Sequence, residues 1–122
     1  MSMAIVALSL PILKGKKPKF LKMMARLKAE PMRSVLEKSR LDAGVRERSF
    51  LQESPYGDVV IMTLEGEAPM EGFATLMQDQ SLSYFGYDAA FMEEVHGFTV
   101  ATPPPLPTML FDTGTDSSAR VR

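Results

Sequence analysis

Apolar and polar residues fall along this chain in blocks that change period from one segment to the next. Residues 4–10 (Ala4-Ile5-Val6-Ala7-Leu8-Ser9-Leu10) are almost continuously apolar, which predicts a strand buried on both faces. Phe20, Met23, Met24 and Leu27 then recur at three and four, the stripe of an amphipathic helix with Pro18 in its first turn. Met32, Val35, Leu36 and Ser39 carry the same period past Pro31. The two pieces read as one long helix kinked at the proline and ended by Gly44. Residues 45–53 alternate, with Arg46, Arg48, Phe50 and Gln52 on one face and Val45, Glu47, Ser49 and Leu51 on the other. Ser54-Pro55-Tyr56-Gly57 suits a type I turn, and residues 58–65 form a third strand, apolar on both faces, that completes a hairpin. Met70, Phe73, Leu76 and Met77 mark the buried stripe of a further helix. After a polar break at 79–83, Tyr84, Tyr87, Phe91 and Val95 mark another, stopped by Gly97. Residues 98–101 and 108–111 are two candidates for a last strand. A stiff, polyproline-like connector (Pro103, Pro104, Pro105, Pro107) separates them.

The resulting order, β-α-β-β-α-β, is the ferredoxin-like plan of an α+β domain. It places both helical regions on one face of an antiparallel sheet. The domain spans residues 1–112, and the small, polar residues 113–122 read as a tail. Strands apolar on both sides leave an apolar sheet face for which the plan supplies no cover. A second copy packed sheet to sheet would cover it, so a homodimer is expected.

Composition narrows the chemistry. The chain has 122 residues and no cysteine, which removes disulfides, thiolate nucleophiles and cysteine-based metal sites. With one histidine, a multi-histidine metal site would need a second chain. The apolar run near the start is too short to span a bilayer, and its lysines follow it rather than precede it. A cytoplasmic protein without membrane contact is expected. Net charge is only −1, yet residues 14–48 hold twelve of the fourteen Lys and Arg against four acids, whereas residues 49–122 hold eleven acids and two arginines. These halves are expected to meet within the folded particle. The acidic half would repel a phosphate backbone, so nucleic acid is not an expected partner.

Several short motifs now carry a resemblance. Pro11 to Lys16 has the pattern P-x-x-x-G-K. Residues 46–58 read R-E-x-x-x-L-Q-x-x-P-x-G-D, from Arg46-Glu47 through Leu51-Gln52 to Pro55-Tyr56-Gly57-Asp58. Glu65-Gly66 and Val95-His96-Gly97 follow. With the βαββαβ order, over roughly residues 3–112, they resemble small members of the dimeric α/β-barrel superfamily. That resemblance implies a ferredoxin-like protomer and a homodimer. The superfamily includes cofactor-free monooxygenases, sugar mutarotases, small-molecule isomerases, haem-degrading proteins and ligand-sensing domains, so it selects no single activity.

His96 is the first candidate for chemistry. A helix C-terminus and Glu93 three residues earlier favour its protonated form, which suits a general acid or base. The alternatives are a cap on the last helical carbonyls and, because one histidine suffices, axial haem ligation. Otherwise no cofactor is expected. Arg46, Arg48 and Gln52 share a strand face and could anchor a carboxylate. Glu47 lies on the opposite face, where burial would raise its pKa. Tyr84 and Tyr87, with Phe91, could line a ligand pocket with phenolic groups or simply fill the core. Ten methionines suit an adaptable pocket or an ordinary core alike. No Walker loop and no Gly-x-Ser-x-Gly elbow is present. Two functional readings follow. One is a cofactor-independent enzyme of monooxygenase or isomerase type acting on a small organic molecule, with His96 catalytic and Arg46 or Gln52 anchoring. The other is a non-catalytic ligand-binding or assembly module.

Overall fold

A computed structural model describes residues 4–78, 89–99 and 101–114. Strand β1 (Ala4–Ile12) leads to helices α1 (Lys17–Lys28) and α2 (Met32–Asp42). The hairpin strands β2 (Val45–Gln52) and β3 (Asp58–Gly66) follow, then α3 (Pro69–Gln78). A short α4 (Ala89–Phe91) runs directly into a π-helical turn, Met92–His96. The sheet has the order β1-β3-β2, and both pairings are antiparallel. β1 and β2 are therefore parallel to one another with β3 between them, a split βαβ arrangement. This mixed α+β fold with an antiparallel sheet is compatible with the ferredoxin-like plan.

The period-two rule sorts the sheet into two faces. Ala4, Leu8, Leu10 and Ile12 of β1 and Val60, Met62 and Leu64 of β3 are buried on the helix-covered side. Register places Leu8 opposite Met62 and Leu10 opposite Val60. Phe20 and Leu27 of α1, Leu76 of α3, and Phe91, Met92 and Val95 complete this core. Each such side chain contributes roughly 1.5–3 kcal/mol by leaving water. The other face carries Ile5, Ala7, Ser9 and Pro11 of β1, then Val59, Ile61, Thr63 and Glu65 of β3, then Arg46, Arg48, Phe50 and Gln52 of β2. It is open, and the sheet does not close into a barrel.

Three expectations need correction. The long kinked helix is two helices: the chain leaves helical geometry at Ala29, and α2 starts only after Pro31. Glu30 caps this second start, accepting from Ser34 N at 3.1 Å and Ser34 Oγ at 2.8 Å. The buried face of α3 departs from the expected stripe at its start: Phe73, Leu76 and Met77 pack on the core, but Met70 is half exposed, and Pro69 and Gly72 are buried instead. Gly72 sets this departure, because a Cβ there would meet Val45 Cγ1 at 2.5 Å and Ala43 O at 2.8 Å, so the helix backbone sits directly on the end of β2. Finally, among the described residues no fourth strand pairs with the sheet. Neither 108–111 nor the described part of 98–101 is a strand. The polar break at 79–83 and residues 115–122 of the expected tail lie outside the described residues.

The turns follow their sequence. Gly57 N donates to Ser54 O at 3.1 Å across the Pro55-Tyr56 turn. Gly97 has φ of 79° and returns its N–H to Glu93 O at 2.9 Å, the left-handed helix end that its position predicts.

Candidate functional site

The most strongly built polar feature lies between α1, α2 and β2. Glu47 points from β2 into the helix-covered side, opposite Leu64 on β3. Arg40, in the last turn of α2, meets it: Nε donates to Glu47 Oε1 at 2.7 Å, and Nη1 donates to Ser39 Oγ at 2.9 Å. Arg40 is only 7% exposed. Burial pushes the Glu47 carboxyl above its ordinary value, and the Arg40 charge and hydrogen bond pull it back. The pair borders a cavity of about 240 Å³, whose walls are Met24, Leu27, Leu36, Lys28 and Ser49. On β2 it is the face of Glu47 and Ser49 that lines this cavity. Arg40 was absent from the sequence candidates. A signal did exist: it stands at i+4 from Leu36 and i+8 from Met32, on the buried stripe of its helix.

His96 has a different setting. It is 1% exposed, with its ring edge-on to Phe20 and Phe91 at centroid distances of 5.9 and 6.1 Å. Nδ1 lies 2.8 Å from Pro11 O, and because a carbonyl can only accept, Nδ1 carries the proton. The expected protonated form is corrected here: burial drives the pKa below the ordinary 6.5, and the bond to Pro11 only partly opposes this. The expected cap on helical carbonyls is also replaced, since the ring bonds the strand instead. Together with Leu13 N donating to Val95 O at 2.8 Å, it ties the π-helical turn to the end of β1.

Arg46, Arg48 and Gln52 lie on the open sheet face with Phe50, away from both Glu47 and His96. The candidates therefore occupy three places and do not converge on one site. Arg48 Nη1 lies 3.8 Å from Glu65 Oε1 on the neighbouring strand. Tyr84 and Tyr87 lie outside the described residues. The two charged halves of the chain do meet. Lys16 and Lys19 both pair with Glu94, whose carboxyl is held below its usual range by the hydrogen bonds from Lys19 and then Lys16. Lys17 pairs with Glu53 and Asp58.

Among the described residues, no group of three or more His, Asp or Glu side chains is placed to hold a metal ion. No helix among them is long and apolar enough to cross a membrane. No protein-family model matches the chain, and no curated protein matches it.

Proposed function

We propose that this protein is a self-associating α+β module whose open sheet face receives a second copy of itself. The observation that carries this reading is the composition of that face. Ile5, Phe50 and Ile61 sit at its centre and margin, with Phe50 54% exposed on an ordered strand. Register makes Ser9, Ile61 and Phe50 one row, and Pro11, Val59 and Gln52 the next. Ile61, Phe50, Pro11 and Val59 thus form an apolar patch across two neighbouring rows, which favours association when left in water. Arg46 and Arg48 on the edge strand and Glu65 on the central one give a pattern that a two-fold axis can make self-complementary. Enclosure of His96 supports assembly over proton transfer by that residue, because a general acid or base must reach a substrate proton.

Sedimentation of the native chain and of Ile61→Asp tests the reading. The native protein should be a dimer at micromolar concentration, and the variant a folded monomer. A native monomer overturns it.

A second reading rests on the cavity beside Arg40 and Glu47. A cavity walled by Met24, Leu27 and Leu36 on one side and by Lys28, Ser49 and the ion pair on the other suits a small molecule with an apolar body and a hydrogen-bonding end. A thermal-shift screen of small carboxylates, phenols and sugars tests this. The expected ligand stabilises the native chain and loses that effect in Glu47→Gln.

A further inference from the structure

Among the described residues, neither the outer edge of β1 nor the segment after Thr102 has a strand partner. Pro11 has no N–H, so the Pro11–Val59 position must be one at which β1 does not bond to β3. Odd-numbered residues of β1 therefore turn their backbone groups to the outer edge. Both recorded contacts agree: Pro11 O accepts from His96, and Leu13 N donates to Val95 O. The π-helical turn thus closes this edge at residues 11 and 13. From residue 5 to residue 9 no described strand pairs with it. This stretch carries no charged residue, whereas the opposite edge strand β2 carries Arg46, Glu47 and Arg48. Edge strands are normally guarded by such charges or by a cover.

Among the described residues that follow His96, none pairs with that edge. Thr99 and Thr102 bond reciprocally, N to O at 3.3 and 3.1 Å, and their hydroxyl oxygens lie 2.8 Å apart. This tight turn is followed by Pro103, Pro104, Pro105 and Pro107, which have no N–H for a ladder. In polyproline geometry a stretch the length of 103–107 spans about 15 Å. Apart from Leu106, consecutive residues with N–H groups return only at 108–112. Gly114 N donates to Asp112 Oδ1 at 2.6 Å and turns the chain there. These five residues match in length residues 5–9 of β1, where Ile5, Ala7 and Ser9 turn their backbone groups outward. Within 108–112, Leu110 is 93% exposed and Phe111 83% exposed.

We infer that residues 108–112 of one copy add to the β1 edge of a second copy, and that the exchange is reciprocal about a two-fold axis. Main-chain bonds supply the pairing, and Leu110 and Phe111 bury their side chains on the partner. The prolines hold the arm extended before it binds, which lowers the ordering cost of association. Size points the same way. The open face offers twelve residues, fewer than the roughly 20–30 per side of a standard interface, and the arm brings the surface closer to that scale. This last point rests on the face reading above; the open edge and the exposed arm do not.

The test uses the full chain and sedimentation equilibrium. Leu110→Asp/Phe111→Asp spoils the arm and leaves the edge intact. Ala7→Pro removes an outward N–H and leaves the arm intact, with Ser9→Pro as its replacement if that variant loses its circular dichroism. Each should raise the dimer dissociation constant by ~10-fold or more. An equimolar mixture of an arm variant and an edge variant should associate more tightly than either alone, because one intact arm then meets one intact edge. Dissociation constants within about twofold of native, or a mixture no tighter than its components, overturn the inference. If Ile61→Asp dissociates the dimer while the arm and edge variants do not, the face reading stands and the exchange falls.

Discussion

Replacing Arg40 by Met keeps the length and apolar stem of the side chain but removes the charge beside Glu47. The native contact is 2.7 Å, with side-chain exposures of 9% and 16% for the two partners. Removing one member of a pair buried this well leaves the other charge uncompensated, at a cost of about 3 kcal/mol. In urea this should move the unfolding midpoint at pH 7 down by about 1–3 M. The size of the effect should depend on pH. Burial already raises the Glu47 pKa above its unfolded value, and losing Arg40 removes the influences that lower it. A native carboxyl that holds its proton more tightly than the unfolded one gains stability as pH falls through its folded pKa. That gain is complete below the unfolded value near 4.5. The Arg40→Met deficit should therefore shrink between pH 7 and pH 5, by up to about 1.4 kcal/mol for each unit of added pKa shift. The double variant Arg40→Met/Glu47→Leu should recover most of the loss at every pH, since neither charge is then left buried. An Arg40→Met deficit that is pH-independent, or a double variant as unstable as the single one, would refute the reasoning.

His96 gives a pH dependence of opposite sign. Its folded pKa lies below 6.5, so the unfolded chain takes up the proton first, and stability falls as pH drops from about 6.5 towards the folded value. The slope reaches at most about 1.4 kcal/mol per unit, and subtracting the same titration of His96→Gln should isolate it. His96→Ala should cost about 2–4 kcal/mol, a core deletion plus a lost hydrogen bond, which chemical denaturation will show. Gly66→Ala should be far worse than Gly97→Ala. A Cβ at Gly66 would stand 2.2 Å from the backbone oxygen of Gly44, whereas at Gly97 only the left-handed φ resists, at about 1–2 kcal/mol. Comparing their melting curves checks this.

Local periodicity by itself determined the three strands of the sheet, the hairpin turn and the apolar stripe of α1. Each rests on interactions within a few residues, such as Gly57 closing on Ser54 or Phe20, Met23, Met24 and Leu27 aligning at helical spacing. Alternation also separated Glu47 from Arg46, Arg48 and Gln52 on β2 before any partner was known. Which of those faces the helices would cover was decided only by tertiary packing, because a strand's period is the same whichever side is buried. Packing likewise turned α3 onto Gly72, since the absence of a side chain becomes information only when another backbone lies against it. His96 shows the same division most plainly. Its place at a helix end favours charge, and Glu93 nearby adds to that. In the folded chain Phe20 and Phe91 remove it from water, and the desolvation of an imidazolium outweighs a helix terminus. Arg40 joined Glu47 for the converse reason. An arginine on an apolar stripe looks like an exposed charge until the fold brings a buried carboxylate to meet it.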